Sequence, residues 1–315
     1  MALAALPAAA TAQDDQLRLN LPVDCTLGED CYIQQYVDRD PGPAVQDFAC
    51  GTLANDGHKG TDFAVPTEAD MADGTTVLAA ADGIVRGMRD GMADIRQNGP
   101  DAPDIAGTEC GNGVLLDHGD GWETQYCHLR EGTVTARTGE AVRAGQPLGL
   151  IGMSGLASFP HVHFEVRHNG AVVDPFHPEA AGACGPAQSP LWTSAIGYTA
   201  GMPIDAGLSA ALPSYEDVQA GLPEDGLNAG ADAIVLWVFM ANVQQGDTLA
   251  LEITGPDGTF AAHETEIANP QPFRMEAFGR RAPSSGLTEG AYVGSAILSR
   301  EGTELGRTTV RAALP

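Results

Sequence analysis

Phe159-Pro160-His161-Val162-His163-Phe164-Glu165 is the stretch that decides the fold, and its pattern predicts a β-strand that carries two imidazoles. Alternate side chains of a β-strand point to the same face of a sheet. His161, His163 and Glu165 therefore share a polar face, and the residues between them share an apolar one. The apolar face suits a packed core. The polar face suits a groove, where one imidazole can bind a metal and the other can act in catalysis.

A second motif lies far upstream, at His58-Lys59-Gly60-Thr61-Asp62, and offers an imidazole and a carboxylate four residues apart. Zinc enzymes typically use three nitrogen or oxygen ligands and leave one coordination position for water. The two ends of this motif and His163 would supply those ligands, and His128 and His161 would remain for proton transfer and transition-state stabilisation. A lone histidine is more often a surface or hydrogen-bonded residue than a ligand, so the prediction rests on the motifs together.

The segment from His58 to Asp174 resembles the M23 family of zinc metallopeptidases, the lysostaphin-like enzymes that cut peptide cross-links in bacterial cell walls. The resemblance rests on the upstream motif, on the His-x-His strand, and on three further stretches: Gly113-Val114-Leu115-Leu116-Asp117-His118-Gly119, Thr124-Gln125-Tyr126-Cys127-His128-Leu129 and Gly145-Gln146-Pro147-Leu148-Gly149. It implies one zinc ion held by His58, Asp62 and His163. It also implies that His128 and His161 are the two remaining active-site histidines. All five positions are filled, which disfavours a degenerate, metal-free relative.

The turn before His161 departs from the family pattern. That turn usually has the sequence Gly-x-Ser-Thr-Gly-Pro-His, whereas here it is Ser154-Gly155-Leu156-Ala157-Ser158-Phe159-Pro160-His161. Phe159 thus replaces a small residue on the rim of the groove. The departure concerns the substrate and not the metal.

Length and composition place limits on the fold and on the partners. A chain of 315 residues predicts two domains, and 39 glycines with few aromatics are typical of a turn-rich β protein. A formal net charge of -26 without a basic run disfavours nucleic-acid binding, because a phosphate backbone would be repelled. No window reaches the roughly 18 apolar residues of a membrane span.

We therefore predict an all-β fold, in which an antiparallel β-sheet metallopeptidase domain with a central groove precedes an immunoglobulin-like β-sandwich. The sandwich is predicted from short apolar strands such as Ala233 to Val243 and Thr248 to Thr254, with turns about every ten residues. The predicted divisions are a signal-like or flexible end (1–13), a leader (14–50), the peptidase domain (51–184), a linker (185–205) and the sandwich (206–315).

Two segments before and within the peptidase domain leave alternatives open. The leader, with a predicted strand from Leu17 to Pro22, is expected either to pack against the domain or to cover the groove. Residues 88–109 have no periodicity and predict a long loop, which either contacts substrate or is an inert surface insertion. Ala10-Thr11-Ala12 fits a signal cleavage site, although the basic region of a signal peptide is missing.

Six cysteines agree with export. Cys25 and Cys31 bracket an acidic loop, and Cys110 and Cys127 fall near opposite ends of a predicted hairpin. Cys50 and Cys184 would then join the two ends of the catalytic domain. Six cysteines allow fifteen pairings, so this connectivity is one hypothesis among several.

The resemblance implies an exported zinc endopeptidase, periplasmic or secreted, that hydrolyses peptide bonds of bacterial peptidoglycan. The first alternative is a catalytically silent M23-like protein that binds cell wall or activates another hydrolase. The second is a structural cell-envelope protein in which the sandwich does the work. The C-terminal domain is expected either to bind another envelope component or to be a spacer.

Overall fold

The computed structural model describes residues 17–99, 102–179, 183–185, 187, 189–222, 227–228 and 230–315. The predicted signal-like end lies outside these residues. The first half of the described chain consists of these elements: β1 (Tyr32–Gln35), β2 (Thr61–Ala64), α1 (Glu68–Asp73), β3 (Thr76–Leu78), β4 (Gly83–Arg89), β5 (Asn112–Gly119), β6 (Trp122–Leu129), β7 (Ala141–Val142), β8 (Pro147–Leu150), β9 (His161–His168) and β10 (Ala171–Val172).

The main sheet of this half is antiparallel and has the strand order β1-β2-β9-β6-β5-β4-β7, with β10 paired to β9. Strands β3 and β8 form a separate ribbon. The alternation predicted for β9 is confirmed, since Val162, Phe164 and Val166 are at most 1% exposed and belong to the core. Strand β9 lies between β2 and β6, and His163 is the register partner of Asp62 on one side and of Cys127 on the other. Sheet pairing thus brings together residues that are about 100 positions apart in the chain.

The second half of the chain consists of β11 (Met202–Ser209), α2 (Tyr215–Ala220), β12 (Ala233–Val243), β13 (Thr248–Gly255), β14 (Gly258–Glu266), β15 (Gln271–Arg281), β16 (Gly290–Arg300) and β17 (Thr303–Leu314). One sheet has the order β11-β12-β15 and the other has the order β14-β13-β16-β17. Buried aliphatic side chains from both sheets, such as Leu236 and Leu251, form one core between them. The all-β fold is confirmed, and the strand order favours the immunoglobulin-like assignment, which stays a prediction.

The segment that connects the two halves is not a free linker, because part of it packs against the first half. Leu191 and Trp192, within the predicted linker range, are buried in the core of the first half. Strand β11 begins at Met202, which is also within that range. The predicted domain limits remain a proposal, and these contacts argue for a short and partly packed connection.

The strand predicted from Leu17 to Pro22 is wrong. Leu19 makes one isolated parallel bridge with Trp192, and Val23 makes one isolated antiparallel bridge with Val77. Pro22 lacks a backbone N–H, which is unfavourable for a continuous ladder. The described leader instead contributes β1, whose residue Ile33 is buried in the core.

The three predicted disulfides are confirmed. Cys25 is bonded to Cys31, Cys50 to Cys184, and Cys110 to Cys127. The second bond joins residues 134 positions apart and therefore closes most of the first half into one covalent loop. Among the helices of the described residues, none has the length and hydropathy needed to span a membrane.

Candidate metal centre and active-site groove

Three side chains converge where β2 and β9 pair. Asp62 lies on β2, His163 lies opposite it on β9, and His58 comes just before β2. His58 Nε2 lies 3.2 Å from Asp62 Oδ2, and His163 Nδ1 lies 2.9 Å from Asp62 Oδ1. The possible ligand atoms of all three residues lie within 4.8 Å of one another. This arrangement could hold one metal ion, as the sequence predicts.

The glycine between His58 and Asp62 has a steric role. A Cβ atom at Gly60 would lie 2.7 Å from the His163 ring and 2.7 Å from the carbonyl oxygen of Phe164. Real Cβ atoms essentially never come so close to other heavy atoms, so a side chain here would displace His163 or the β9 backbone. Only glycine lets the upstream segment approach the His163 ring this closely.

The donor set suits zinc, which prefers nitrogen and carboxylate oxygen ligands. The side chain of Asp62 is 4% exposed, while those of His58 and His163 are 13% and 15% exposed and face the groove. A carboxylate between two imidazoles therefore lies at the bottom of the site. The groove side is left open for a water molecule or a substrate.

Electrostatics keep Asp62 ionised. Burial alone would raise its pKa, but the neighbouring imidazoles of His58, His161 and His163 lower the pKa well below its usual range. For His163, burial favours the neutral ring. However, the hydrogen bond that its Nδ1–H donates to Asp62, together with the negative charges of Asp62 and Glu165, raises its pKa to about 9. In the metal-free protein at neutral pH, both ring nitrogens of His163 therefore carry a hydrogen. One of these protons must leave when a cation binds.

Backbone carbonyl oxygens set the tautomers of three histidines. The Nδ1 atom of His58 lies 2.7 Å from the carbonyl of Tyr36, that of His128 lies 2.7 Å from the carbonyl of Ser154, and that of His161 lies 2.9 Å from the carbonyl of Phe159. A carbonyl oxygen can only accept, so each Nδ1 carries the hydrogen. In the neutral ring, Nε2 is then free to bind a metal or to accept a proton.

His128 and His161 lie beside the three-residue cluster, with their ring centroids 4.7 Å apart. Both rings are buried, and this burial lowers the pKa of each imidazole, that of His128 most strongly. Neighbouring imidazoles lower the pKa of His128 further, whereas the negative charge of Asp62 raises that of His161 against the effect of burial. Both residues therefore favour the neutral ring that a general base requires, and His161 is the easier of the two to protonate.

The five predicted site residues line one groove with a volume of about 620 Å³. One wall comes from the long loop between β4 and β5, which contributes Gln97, Asn98 and Glu109. Gln35 of the leader and Phe159 also line the groove. Of the two alternatives for residues 88–109, the structure thus favours substrate contact. The described part of the leader joins the wall of the groove.

Sequence reasoning missed several supporting groups. The carbonyl oxygens of Tyr36 and Ser154 carry no side-chain signal, so no motif could identify them. Glu165 shares the polar face of β9; one of its oxygens lies 3.9 Å from His163 Nε2, and the other accepts a hydrogen bond from Arg167.

His118 and His168 lie away from this cluster. His118 contacts the carbonyl of Asp82 and the hydroxyl of Thr124. His168 stacks on the Trp122 ring. Neither residue lines the groove.

Comparison with known proteins gives a match over the segment that contains this groove. Residues 56–175 match the model of peptidase family M23. DD-carboxypeptidase/endopeptidase Mpg of Neisseria meningitidis is 32% identical over 120 residues, which are 38% of this chain and 22% of the relative. Peptidoglycan DD-endopeptidase ShyA of Vibrio cholerae is 34% identical over 117 residues, which are 37% of this chain and 22% of the relative. The chain thus spans about a fifth of the length of these relatives.

A solved structure also matches. It is the catalytic domain of the prophage-encoded M23 protein EnpA from Enterococcus faecalis, with 27% sequence identity and a TM-score of 0.33. The match covers 48% of this chain and 92% of that one.

Proposed function

We propose that the protein, whose residues 56–175 match the model of peptidase family M23, is a zinc-dependent endopeptidase that hydrolyses peptide bonds of bacterial peptidoglycan. The observation that carries the proposal is the cluster of His58, Asp62 and His163 beside His128 and His161 in one groove. The names of the relatives, which include a peptidoglycan DD-endopeptidase, support the substrate class.

His58, Asp62 and His163 are proposed to hold one zinc ion. When bound, zinc lowers the pKa of a coordinated water to about 7 and polarises a substrate carbonyl. The Tyr36 carbonyl fixes the His58 ring so that Nε2 faces Asp62. Asp62, ionised and buried, supplies the negative charge that favours a cation at this position.

His128 is proposed as the general base. Its Nδ1–H donates to the Ser154 carbonyl, so Nε2 carries the lone pair that accepts a proton from the attacking water. His161 is proposed to donate a hydrogen bond to the oxyanion. Because its Nδ1–H donates to the Phe159 carbonyl, His161 can donate from Nε2 only as an imidazolium. Burial lowers its pKa, but the Asp62 carboxylate, whose Oδ1 lies 3.7 Å from Nε2, opposes that effect, so His161 is proposed to act in its protonated fraction. The proton taken by His128 then passes to the leaving amine.

The test combines metal analysis with a digest. The full chain is loaded with zinc, the bound metal is counted by mass spectrometry, and purified peptidoglycan is incubated with the zinc form and with the metal-free form. We expect one zinc per chain and new peptide termini only with the zinc form. One bound zinc without any new termini would contradict the proposal and would favour the silent, wall-binding alternative.

The place of action follows from the substrate class and is part of the proposal. Three disulfides favour an oxidising compartment, in which thiols are not kept reduced. We therefore propose a periplasmic or secreted protein. Cell fractionation, with the redox state of the six cysteines measured by thiol labelling, tests this. Protein found in the cytoplasm with reduced cysteines would contradict it.

A further inference from the structure

The rim residue Phe159 contacts the catalytic groove and the C-terminal sandwich at the same time. Its ring stacks on the imidazole of His161, with the centroids 4.2 Å apart and the planes 20° apart. The ring of Phe273, on β15 of the sandwich, meets Phe159 edge-on at a centroid distance of 5.1 Å. Phe273 in turn stacks on the buried Phe239 of β12 at 5.6 Å. A continuous row of rings therefore runs from the sandwich to His161.

Phe159 holds His161 through two contacts. Its carbonyl oxygen accepts the Nδ1 hydrogen at 2.9 Å, and its side chain covers one face of the imidazole. The hydrogen bond alone leaves the ring free to tilt about its axis, whereas stacking fixes the plane of the ring. Any movement of the Phe159 side chain would therefore change the direction in which His161 Nε2 points.

The sandwich is held firmly against the first half by a buried polar contact. Gln34 Nε2 donates to Asn242 Oδ1 at 2.9 Å, and Asn242 Nδ2 donates back to the Gln34 carbonyl at 3.0 Å. Gln34 is fully buried and Asn242 is 6% exposed. Separating the sandwich from the first half would break both hydrogen bonds. Buried, mutually paired polar groups of this kind therefore hold the two halves in one arrangement.

This polar contact connects to the metal cluster through the sheet. Gln34 belongs to β1, which pairs with β2, and the neighbouring Gln35 is the register partner of Asp62. A separate contact reaches the loop wall of the groove, because Arg96 donates both to Glu68 of α1 and to Gln219 of α2. The sandwich half thus contacts the β1 edge, the rim and the loop wall.

We propose that the C-terminal sandwich is a structural part of the active site, and that Phe273 is a positioning residue that holds Phe159 against His161. The inference rests on the proposed function and assigns the domain an intramolecular role in the reaction. Phe273 does not line the groove, so its effect is transmitted through Phe159.

The test is a matched pair of variants on strand β15. Phe273→Ala removes the ring that contacts Phe159. Phe278→Ala makes the same change at another half-buried phenylalanine of that strand, which stacks on His263 and packs against the core of the sandwich. Displacing a catalytic group by about 1 Å can lower turnover about 100-fold, so we expect kcat on a cross-linked muropeptide to fall about 10- to 100-fold in Phe273→Ala. Phe278→Ala should retain the kcat of the unaltered protein.

Two further measurements separate positioning from general destabilisation. Phe273→Leu keeps apolar bulk behind Phe159 and should recover most of the activity. The imidazole Cε1–Hε1 signal of His161, identified in an NMR spectrum by its absence from His161→Ala, should shift in Phe273→Ala and stay unchanged in Phe278→Ala. Zinc content should stay at the unaltered level in both alanine variants.

Equal loss of activity in the two alanine variants, or an unmoved His161 signal in Phe273→Ala, would overturn the inference. If the zinc-loaded unaltered protein cleaves no peptidoglycan, the proposed function fails by itself. The NMR comparison still decides the positioning role in that case, because it needs no turnover.

Discussion

The backbone N–H of His128 donates to the carbonyl of Cys110 at 2.8 Å, directly beside the disulfide that joins Cys110 to Cys127. His128 has a φ of 64°, in the left-handed region that residues other than glycine rarely adopt. The disulfide and this hydrogen bond constrain the backbone of His128 in this conformation. Strain of this kind is retained only where the surroundings enforce it.

Removing this disulfide should impair turnover more than removing another one. In the double variant Cys110→Ser and Cys127→Ser, we expect His128 to lose its fixed direction and kcat to fall about 10-fold or more. The matched control is Cys25→Ser with Cys31→Ser, which also removes a short-loop disulfide but lies outside the groove. Rates are measured well below the unfolding temperature of each variant. Similar rates in the two double variants would contradict this prediction.

Substitution of the histidines should separate metal binding from catalysis. His161→Ala and His128→Ala should each lower kcat by about 10²- to 10⁴-fold, the usual contribution of a general acid or base. Both variants should retain zinc, whereas His58→Ala should lose it. Metal content measured after dialysis checks this. Zinc loss from His161→Ala would mean that the roles of His161 and His163 have been exchanged.

Gly60→Ala should weaken metal binding without removing a ligand. The added Cβ would push against the His163 ring and the Phe164 carbonyl, so we expect zinc affinity to fall about 10- to 100-fold, as for other changes that misplace a ligand. Competition with a chromogenic chelator measures the affinity. Gly87→Ala on β4 is the control, since a Cβ there meets no heavy atom within 4 Å. Unchanged affinity in Gly60→Ala would disprove the steric role.

The pH dependence of stability should include a contribution from Asp205 on β11. Burial raises the pKa of this carboxyl to about 6, with a smaller contribution from the charge of Asp70. The folded state therefore binds more protons than the unfolded state between pH of about 4 and 6, and this group lowers stability as the pH rises through that window.

Asp205→Asn should remove this effect. The variant should melt at a higher temperature than the unaltered protein at pH 8, and the difference should shrink as the pH falls through about 6 and vanish below about 4. Thermal unfolding followed by circular dichroism at several pH values checks the sign. Asp56→Asn, at an exposed position, is the control. A difference that does not vary with pH would refute the assignment to Asp205.

Much of the site could be predicted from the sequence because its chemistry depends on side chains in short motifs. The His-x-His alternation predicted which face of β9 is buried, and the upstream motif predicted the partners of His163. What could not be predicted was the set of contacts made by backbone atoms and by distant strands. The carbonyl of Ser154 and the ring of Phe273 have no pattern near His128 or His161 that points to them.

The fold shows the same division between local and distant signals. Strand β12 was predicted with its observed bounds because it is a long apolar run. Strand β14 was missed because it is largely exposed and carries charged residues such as Glu264 and Glu266. Strand β1 was missed because its burial depends on pairing with β2. The strand predicted from Leu17 to Pro22 is absent, since only Leu19 of that stretch makes a β-bridge.

The bond between Cys50 and Cys184 has a consequence for the protein outside the reaction. A protease that cleaves one exposed peptide bond between β4 and β5 would cut within the covalent loop that this disulfide closes. The two fragments would stay covalently attached and would migrate together on a non-reducing gel, separating only after the addition of a thiol. The protein can therefore survive a single cut in its own groove wall as one molecule.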